Sequence, residues 1–161
     1  MRVLFVCLGN ICRSPTAEAA TAAALADRGL ADRVHLDSAG IGSWHIGNPP
    51  DRRMHAAAAD TGLHLDGLAR QVRADELAAW DLIVAMDRQN LTDLRAMAPT
   101  AGVAGRMRLF RDFDADADHP EVPDPYYGGP SGFADVVRIC RSAAEGLADE
   151  IASRLDGDGS R

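Results

Sequence analysis

A chain of 161 residues has the length of one domain, and 47% hydrophobic with 25% charged residues is the balance of a folded globular protein, which excludes disorder. A net charge of -7 with no lysine excludes the concentrated basic face of a nucleic-acid binder. The apolar N-terminal run is too short for a signal peptide, no stretch approaches the roughly 20 apolar residues of a membrane helix, and three cysteines make no secreted disulfide framework, so no membrane insertion and a cytoplasmic location are expected.

Residues 3–7 form a continuous run of Val, Leu, Phe and Cys, the pattern of a strand buried on both faces. Ser14 and Pro15 then read as a helix cap and first helical residue, opening an Ala-rich helix over 15–26 with Glu18 in its first turn and Gly29 past its end. Residues 34–38 are a second strand, and Asp51 opens a second helix that runs to about Thr61. An apolar run over 81–86 precedes an amphipathic helix over 88–97; a fourth strand follows over 106–110, and a closing helix over 133–155. This alternation predicts an α/β fold, a doubly wound parallel sheet with helices on both faces, as one domain over 1–161 with a tail frayed from about 156. Two long segments, 40–50 and 112–131, fit neither period and read as functional loops.

The segment from Cys7 to Ser14 carries the chemistry. A loop between a buried strand and a helix N-terminus turns backbone N–H groups inward as an anion cradle, here built from Leu8, Gly9, Asn10, Ile11 and Cys12. Cys7 at its floor is expected as a thiolate, because cysteines so placed ionise well below the usual thiol value. Arg13 can fold over the cradle and grip two phosphate oxygens with its guanidinium fork. Ser14 is placed both to cap the helix and to donate to the Cys7 sulfur, while Gly9 and Asn10 are residue types that accept left-handed backbone. Cys7, Arg13 and the loop thus define a cysteine-dependent phosphatase. The general acid must come from elsewhere, and of the six acidic residues between 112 and 124 the one beside two aromatics, Asp124, is assigned.

The run 7–15 (Cys-Leu-Gly-Asn-Ile-Cys-Arg-Ser-Pro) with Asp124-Pro125-Tyr126-Tyr127 resembles the low-molecular-weight protein tyrosine phosphatases. So do Asp37-Ser38-Ala39-Gly40 with Trp44, Ala69-Arg70-Gln71 and Met86-Asp87. The resemblance covers nearly the whole chain. It implies a four-stranded parallel sheet, no cofactor or metal, and a reaction through a phosphocysteine on Cys7. Arg13 would stabilise the equatorial oxygens and Asp124 would serve as acid and then base. It further implies that Asn10, Ser14 and Ser38 hold the loop, with Asp87 behind them. Trp44, Tyr126 and Tyr127 would wall a cleft for phosphotyrosine, with Leu8 and Ile11 at the rim. Implied partners are phosphotyrosine proteins or peptides, inorganic phosphate as product and inhibitor, and by analogy a tyrosine kinase acting on Tyr126 or Tyr127.

A disulfide between Cys7 and Cys12 is a further implication, protecting the nucleophile from irreversible oxidation. Cys140, among apolar neighbours, reads as core. One departure is Gly67, where many relatives carry His; His64 nearby is the candidate to replace it in the network behind Asn10. Three rival readings exist: an arsenate reductase on the same fold, which lacks its downstream relay cysteines here; a non-catalytic phosphotyrosine-binding module; and a metal site on Cys7 and Cys12, which lacks ligand spacing.

Overall fold

In the computed structural model, which describes residues 1–126 and 128–159, four parallel strands lie in the order β2-β1-β3-β4. They are β1 (Arg2–Cys7), β2 (His35–Gly40), β3 (Leu82–Ala85) and β4 (Met107–Leu109). The helices are α1 (Arg13–Asp27), α2 (Arg52–Ala59), α3 (Arg88–Met97), α4 (Ala101–Ala104) and α5 (Pro130–Asp158), with 3-10 turns over 31–33, 74–79 and 110–113. The predicted α/β class and parallel sheet are found, and α4 is an element the periodicity does not reveal, because one turn is too short to show a period. The closing helix continues to Asp158, past the expected end, and takes in residues 156–158, where the frayed tail was expected to begin.

Period-two alternation along each strand sends side chains to two separate cores. Val3, Phe5, Leu82 and Val84 pack with α1, α2 and α5, where Phe110 meets Phe5 edge-on at 5.6 Å between ring centres. Leu4, Val6, Ile83 and Ala85 pack instead against Leu91 and Leu94 of α3, Val103 of α4, and Leu77 and Trp80. Burial on both faces is why these strands read as continuous apolar runs.

Turn chemistry sets where the helices end. After α1, Leu30 N donates to Leu25 O at 2.9 Å and Gly29 N to Ala26 O at 3.0 Å, closed by Gly29 at φ 69°, which a glycine adopts freely. Asp51 caps α2 by accepting from Arg53 N at 2.9 Å, and Asp87 caps α3 by accepting from Asn90 N at 2.7 Å; a cap of this kind is worth about 1 kcal/mol.

From β1 the chain crosses to β2 on one side and, after β2, to β3 on the other. The C-terminal end of β1 is therefore the point where strand order reverses, the crevice in which open α/β sheets bind ligands. Cys7 is the last residue of that strand.

Candidate active site

Between β1 and α1 the chain turns at Asn10, whose φ of 58° makes it the one non-glycine in left-handed backbone among the described residues. That turn aims its N–H at Cys7 Sγ, 3.2 Å away. Its side chain, 4% exposed, offsets the backbone cost with three bonds. Asn10 Nδ2 donates to Ser14 Oγ at 2.9 Å and to Ser38 Oγ at 3.0 Å, and Asn10 Oδ1 accepts from Arg70 N at 3.0 Å. Ser14 Oγ lies 3.0 Å from Cys7 Sγ.

Two expectations about this loop need correction. Ser14 does not cap α1: the helix begins at Arg13, the cap residue is Cys12 with no side-chain cap bond, and Ser14 sits inside the first turn. Its hydroxyl meets the Cys7 sulfur instead of a helix N–H. Glu18 accordingly falls in the second turn rather than the first. Gly9, unlike Asn10, has no left-handed backbone. It lies close under His45, where a Cβ would stand 3.0 Å from the ring.

Arg13 is 2% exposed and is held from three sides. Nη1 donates to Asp87 Oδ2 at 2.6 Å and to Val122 O at 3.1 Å, and Nη2 reaches Asp124 Oδ2 at 3.4 Å. Burial pulls its pKa down, but the Cys7 charge, the Asp87 hydrogen bond and the Asp124 and Asp87 charges outweigh it, and the net direction is upward. Asp87 therefore does two jobs, one oxygen capping α3 and the other orienting the guanidinium.

Asp124 arrives on the long loop before α5 and remains exposed, with Oδ1 accepting from Tyr126 N at 3.0 Å. The loop is pinned just upstream, where Val122 N donates to Met86 O at 2.8 Å. Arg111, 6% exposed, donates to Glu121 O at 3.3 Å and to Asp118 at 3.0 Å, and Glu121 in turn accepts from Arg88 N at 2.7 Å.

These pieces line a single cleft of about 350 Å³: Cys7, Leu8, Gly9, Ile11, Cys12, Arg13, Trp44, His45, Asp124 and Tyr126. Of the expected rim, Leu8 is 40% exposed whereas Ile11 is buried. Trp44, 71% exposed, lies over Gly42, where a Cβ would fall within the ring. Tyr127 lies outside the described residues. Sequence reasoning missed His45, whose ring stands 5.9 Å from that of Tyr126, although it is adjacent to Trp44 in the same Gly-rich loop. It also missed Arg53, stacked over Tyr126 at 5.5 Å while paired to Asp51.

Burial, followed by the charges of Asp51 and Cys7, pushes the Cys12 thiol up. Cys140 is fully buried in the α1/α5 core, as its neighbours suggested. His64 does not replace the missing His behind Asn10: it pairs with Asp66 at 2.9 Å on the surface, and Gly67 itself sits at φ 84°. Among the described residues no three His, Cys, Asp or Glu side chains are grouped to hold a metal ion, and no helix is long and apolar enough to cross a membrane.

A cysteine on a strand tip, a buried arginine six residues on and an aspartate brought across from a distant loop meet in this one cleft. The chain is 45% identical over 159 residues to a low molecular weight protein-tyrosine-phosphatase of Streptomyces coelicolor, covering 97% of this chain and 96% of that one. It superposes on a protein tyrosine phosphatase of Entamoeba histolytica, crystallised with Hepes in the active site, with a TM-score of 0.93 at 37% identity, covering 96% and 99% of the two chains. YfkJ of Bacillus subtilis gives a TM-score of 0.88 at 42% identity, covering 96% of each. The family described as low molecular weight phosphotyrosine protein phosphatase matches residues 2–156, and with that span, those relatives and this cleft, the chain belongs to that family of protein-tyrosine-phosphatases.

Proposed function

We propose that the enzyme hydrolyses phosphotyrosine monoesters in two displacements on Cys7. The observation that carries the reading is the convergence of Cys7, Arg13 and Asp124 on one cleft, with Arg13 contacting the Asp124 carboxyl and lying under the charge of Cys7. In the first step the Cys7 thiolate forms a bond to phosphorus as the phosphorus–oxygen bond to tyrosine breaks, and protonated Asp124 gives its proton to the departing phenolate. In the second, Asp124 takes a proton from water, the water oxygen attacks phosphorus, and the sulfur leaves as thiolate with release of phosphate. Inward N–H groups of the loop and the Arg13 fork hold the equatorial oxygens in both transition states.

The aromatic walls, Trp44 and Tyr126 with Tyr127 by family resemblance, support selection of a phosphorylated phenol over phosphoserine. An arsenate-reductase relay is disfavoured: the cysteine beyond the loop, Cys140, is sealed in the core. Inorganic phosphate is then product and inhibitor, the location cytoplasmic, and Tyr126 or Tyr127 the residue a tyrosine kinase would modify. Under peroxide, a Cys7 sulfenic acid would be attacked by the Cys12 thiol, giving a disulfide and water. A Cys12→Ala protein that regained activity on thiol treatment as fully as the parent would contradict that.

The test of the main reading is phosphate release from phosphotyrosine and phosphoserine peptides, with chelator and without added metal. Release from the phosphotyrosine peptide alone, abolished in Cys7→Ser, supports it; release that requires metal or survives in Cys7→Ser overturns it.

A further inference from the structure

Among the described residues the large apolar side chains that face solvent are Leu8, Trp44, Ile46 and Leu68, at 40%, 71%, 56% and 66% exposure. Scattered singly over a surface, such residues need no explanation. These four are gathered on one side of the substrate cleft. Leu8 and Trp44 line it, and Ile46 comes two residues after Trp44. Leu68 is joined to the same loop through the backbone: Gly47 N donates to Ala69 O and Ala69 N to Asn48 O, both at 2.8 Å. The 41–42 segment leading into that loop is tied to the phosphate loop, where Gly42 N donates to Leu8 O at 2.9 Å.

Each of the two outer residues adjoins a left-handed glycine. Gly47 at φ 83° follows Ile46, and Gly67 at φ 84° precedes Leu68; beyond the chain neighbours, no heavy atom lies within 4 Å of where a Cβ would stand at either. Both turns therefore face open space. The charged groups nearby are already matched: His64 pairs with Asp66 at 2.9 Å, and Arg70 with Asp37 at 2.9 Å and Glu76 at 2.8 Å. At the Tyr126 wall of the cleft the neighbours are charged instead, with Arg53 over the ring and Asp51 paired to it.

We propose that Ile46 and Leu68 extend the substrate cleft into an apolar docking strip for the polypeptide that carries the phosphotyrosine, and that they select substrates with Leu, Ile, Val or Phe within about four positions of it on one flank. An extended peptide advances about 3.3 Å per residue. With the phosphorylated ring in the cleft beside Trp44, side chains two to four positions away thus lie about 7 to 13 Å further out. Ile46, two residues from Trp44, falls within that reach, since two residues of chain span at most about 7 Å. Continuity with the cleft is what makes the substrate's own flank the occupant. The gain is ordinary ground-state binding, so it lowers KM and leaves the chemical step alone.

This inference rests on the phosphotyrosine reading, so the substrates include one without flanks. Values of kcat and KM are measured for N-acetyl-phosphotyrosine amide and for phosphotyrosine peptides on a Ser background with two Leu on the N-terminal flank, two Leu on the C-terminal flank, two Asp on either flank, or Ser throughout. The proteins are the parent, the Ile46→Ser/Leu68→Ser double variant and the apolar control Ile46→Leu/Leu68→Met. One Leu peptide is expected to exceed the Ser peptide about tenfold in kcat/KM with the parent and the control, through KM. The Ser double variant should lose that advantage while hydrolysing the amide as the parent does. Equal values for all peptides, a preference for Asp, a Leu preference that survives in the Ser double variant, or a loss shared with the amide would overturn the inference. So would sedimentation showing a parent dimer that the Ser double variant makes monomeric, because the strip would then belong to a second copy. Failure of the parent on the amide and on every peptide would refute the phosphotyrosine reading, and this inference with it.

Discussion

The loop of residues 8–12 and the loop of residues 114–129 meet at Arg13, but they are held in different ways. In the first, Asn10 is nearly inaccessible, as is Ser14 just beyond it in α1, and each polar atom of the Asn10 side chain has a partner inside the protein. In the second, Asp124 is exposed, and its approach is set by bonds placed upstream of it: Val122 to Met86, Glu121 to Arg88 and Arg111. A nucleophile benefits from fixed donors already aimed where charge sits, because those donors then need no reorganisation during reaction. An acid that must protonate a leaving group and later activate water works from a site open to solvent. On the roles proposed for Cys7 and Asp124, the two loops differ as those two tasks differ.

The sharpest way to break this comparison is to change the residue where the loops join. Arg13→Lys keeps the charge but loses the fork proposed to bind phosphate and the two-sided contact to Asp87 and Asp124; kcat/KM should fall about 10³-fold, measured with a phosphotyrosine peptide. A fall of only a few-fold would mean that charge alone suffices. On the acid loop, Asp124→Asn should lower kcat about 10²-fold for an unactivated phenyl phosphate and far less for p-nitrophenyl phosphate, whose leaving group needs no proton. Equal losses with both substrates would remove Asp124 from the acid role.

Asp87→Asn separates orienting from capping. Asn still caps α3, but Arg13 loses its carboxylate partner, so KM should rise about tenfold with the melting temperature nearly unchanged. A large drop in melting temperature would show that the pair serves the fold instead. The smallest effect concerns stability at Glu18. Burial raises this carboxyl in the folded protein, so its contribution to stability is fully present only below its unfolded value, about 4.3, and is lost as pH rises through the folded value. Glu18→Gln should therefore melt higher than the parent at pH 7, with the gain shrinking as pH falls toward 4. A gain that is constant with pH would contradict the burial argument.

Much of the fold was legible because β1 and β3 are buried on both sides and declare themselves as apolar runs, and because Asp51 and Gly29 punctuate the helices with a side chain or backbone freedom that only ends require. Cys7, Arg13 and Ser14 were legible for a related reason: the strand, loop and helix around them follow one another in sequence. What sequence hides is convergence. Arg70 N on the Asn10 amide, the Val122 carbonyl on Arg13 and the ring of His45 against Gly9 join residues dozens of positions apart, and no local period marks them. Ser14 was misread as a cap because a hydroxyl before Pro has the same signature whether it serves the helix or a neighbouring sulfur. Gly9 was credited with a left-handed turn that its backbone does not make; what stands close to it is the His45 ring.

The most direct test of the central claim is to trap the intermediate. Labelled phosphotyrosine peptide is mixed with excess parent enzyme, quenched within milliseconds, and the digested protein analysed by mass. The account predicts a transient phosphoryl group on the peptide containing Cys7, longer-lived in Asp124→Asn because the water is no longer activated. Hydrolysis that proceeds with the phosphoryl group on another residue, or with none on the enzyme at any time, would contradict it.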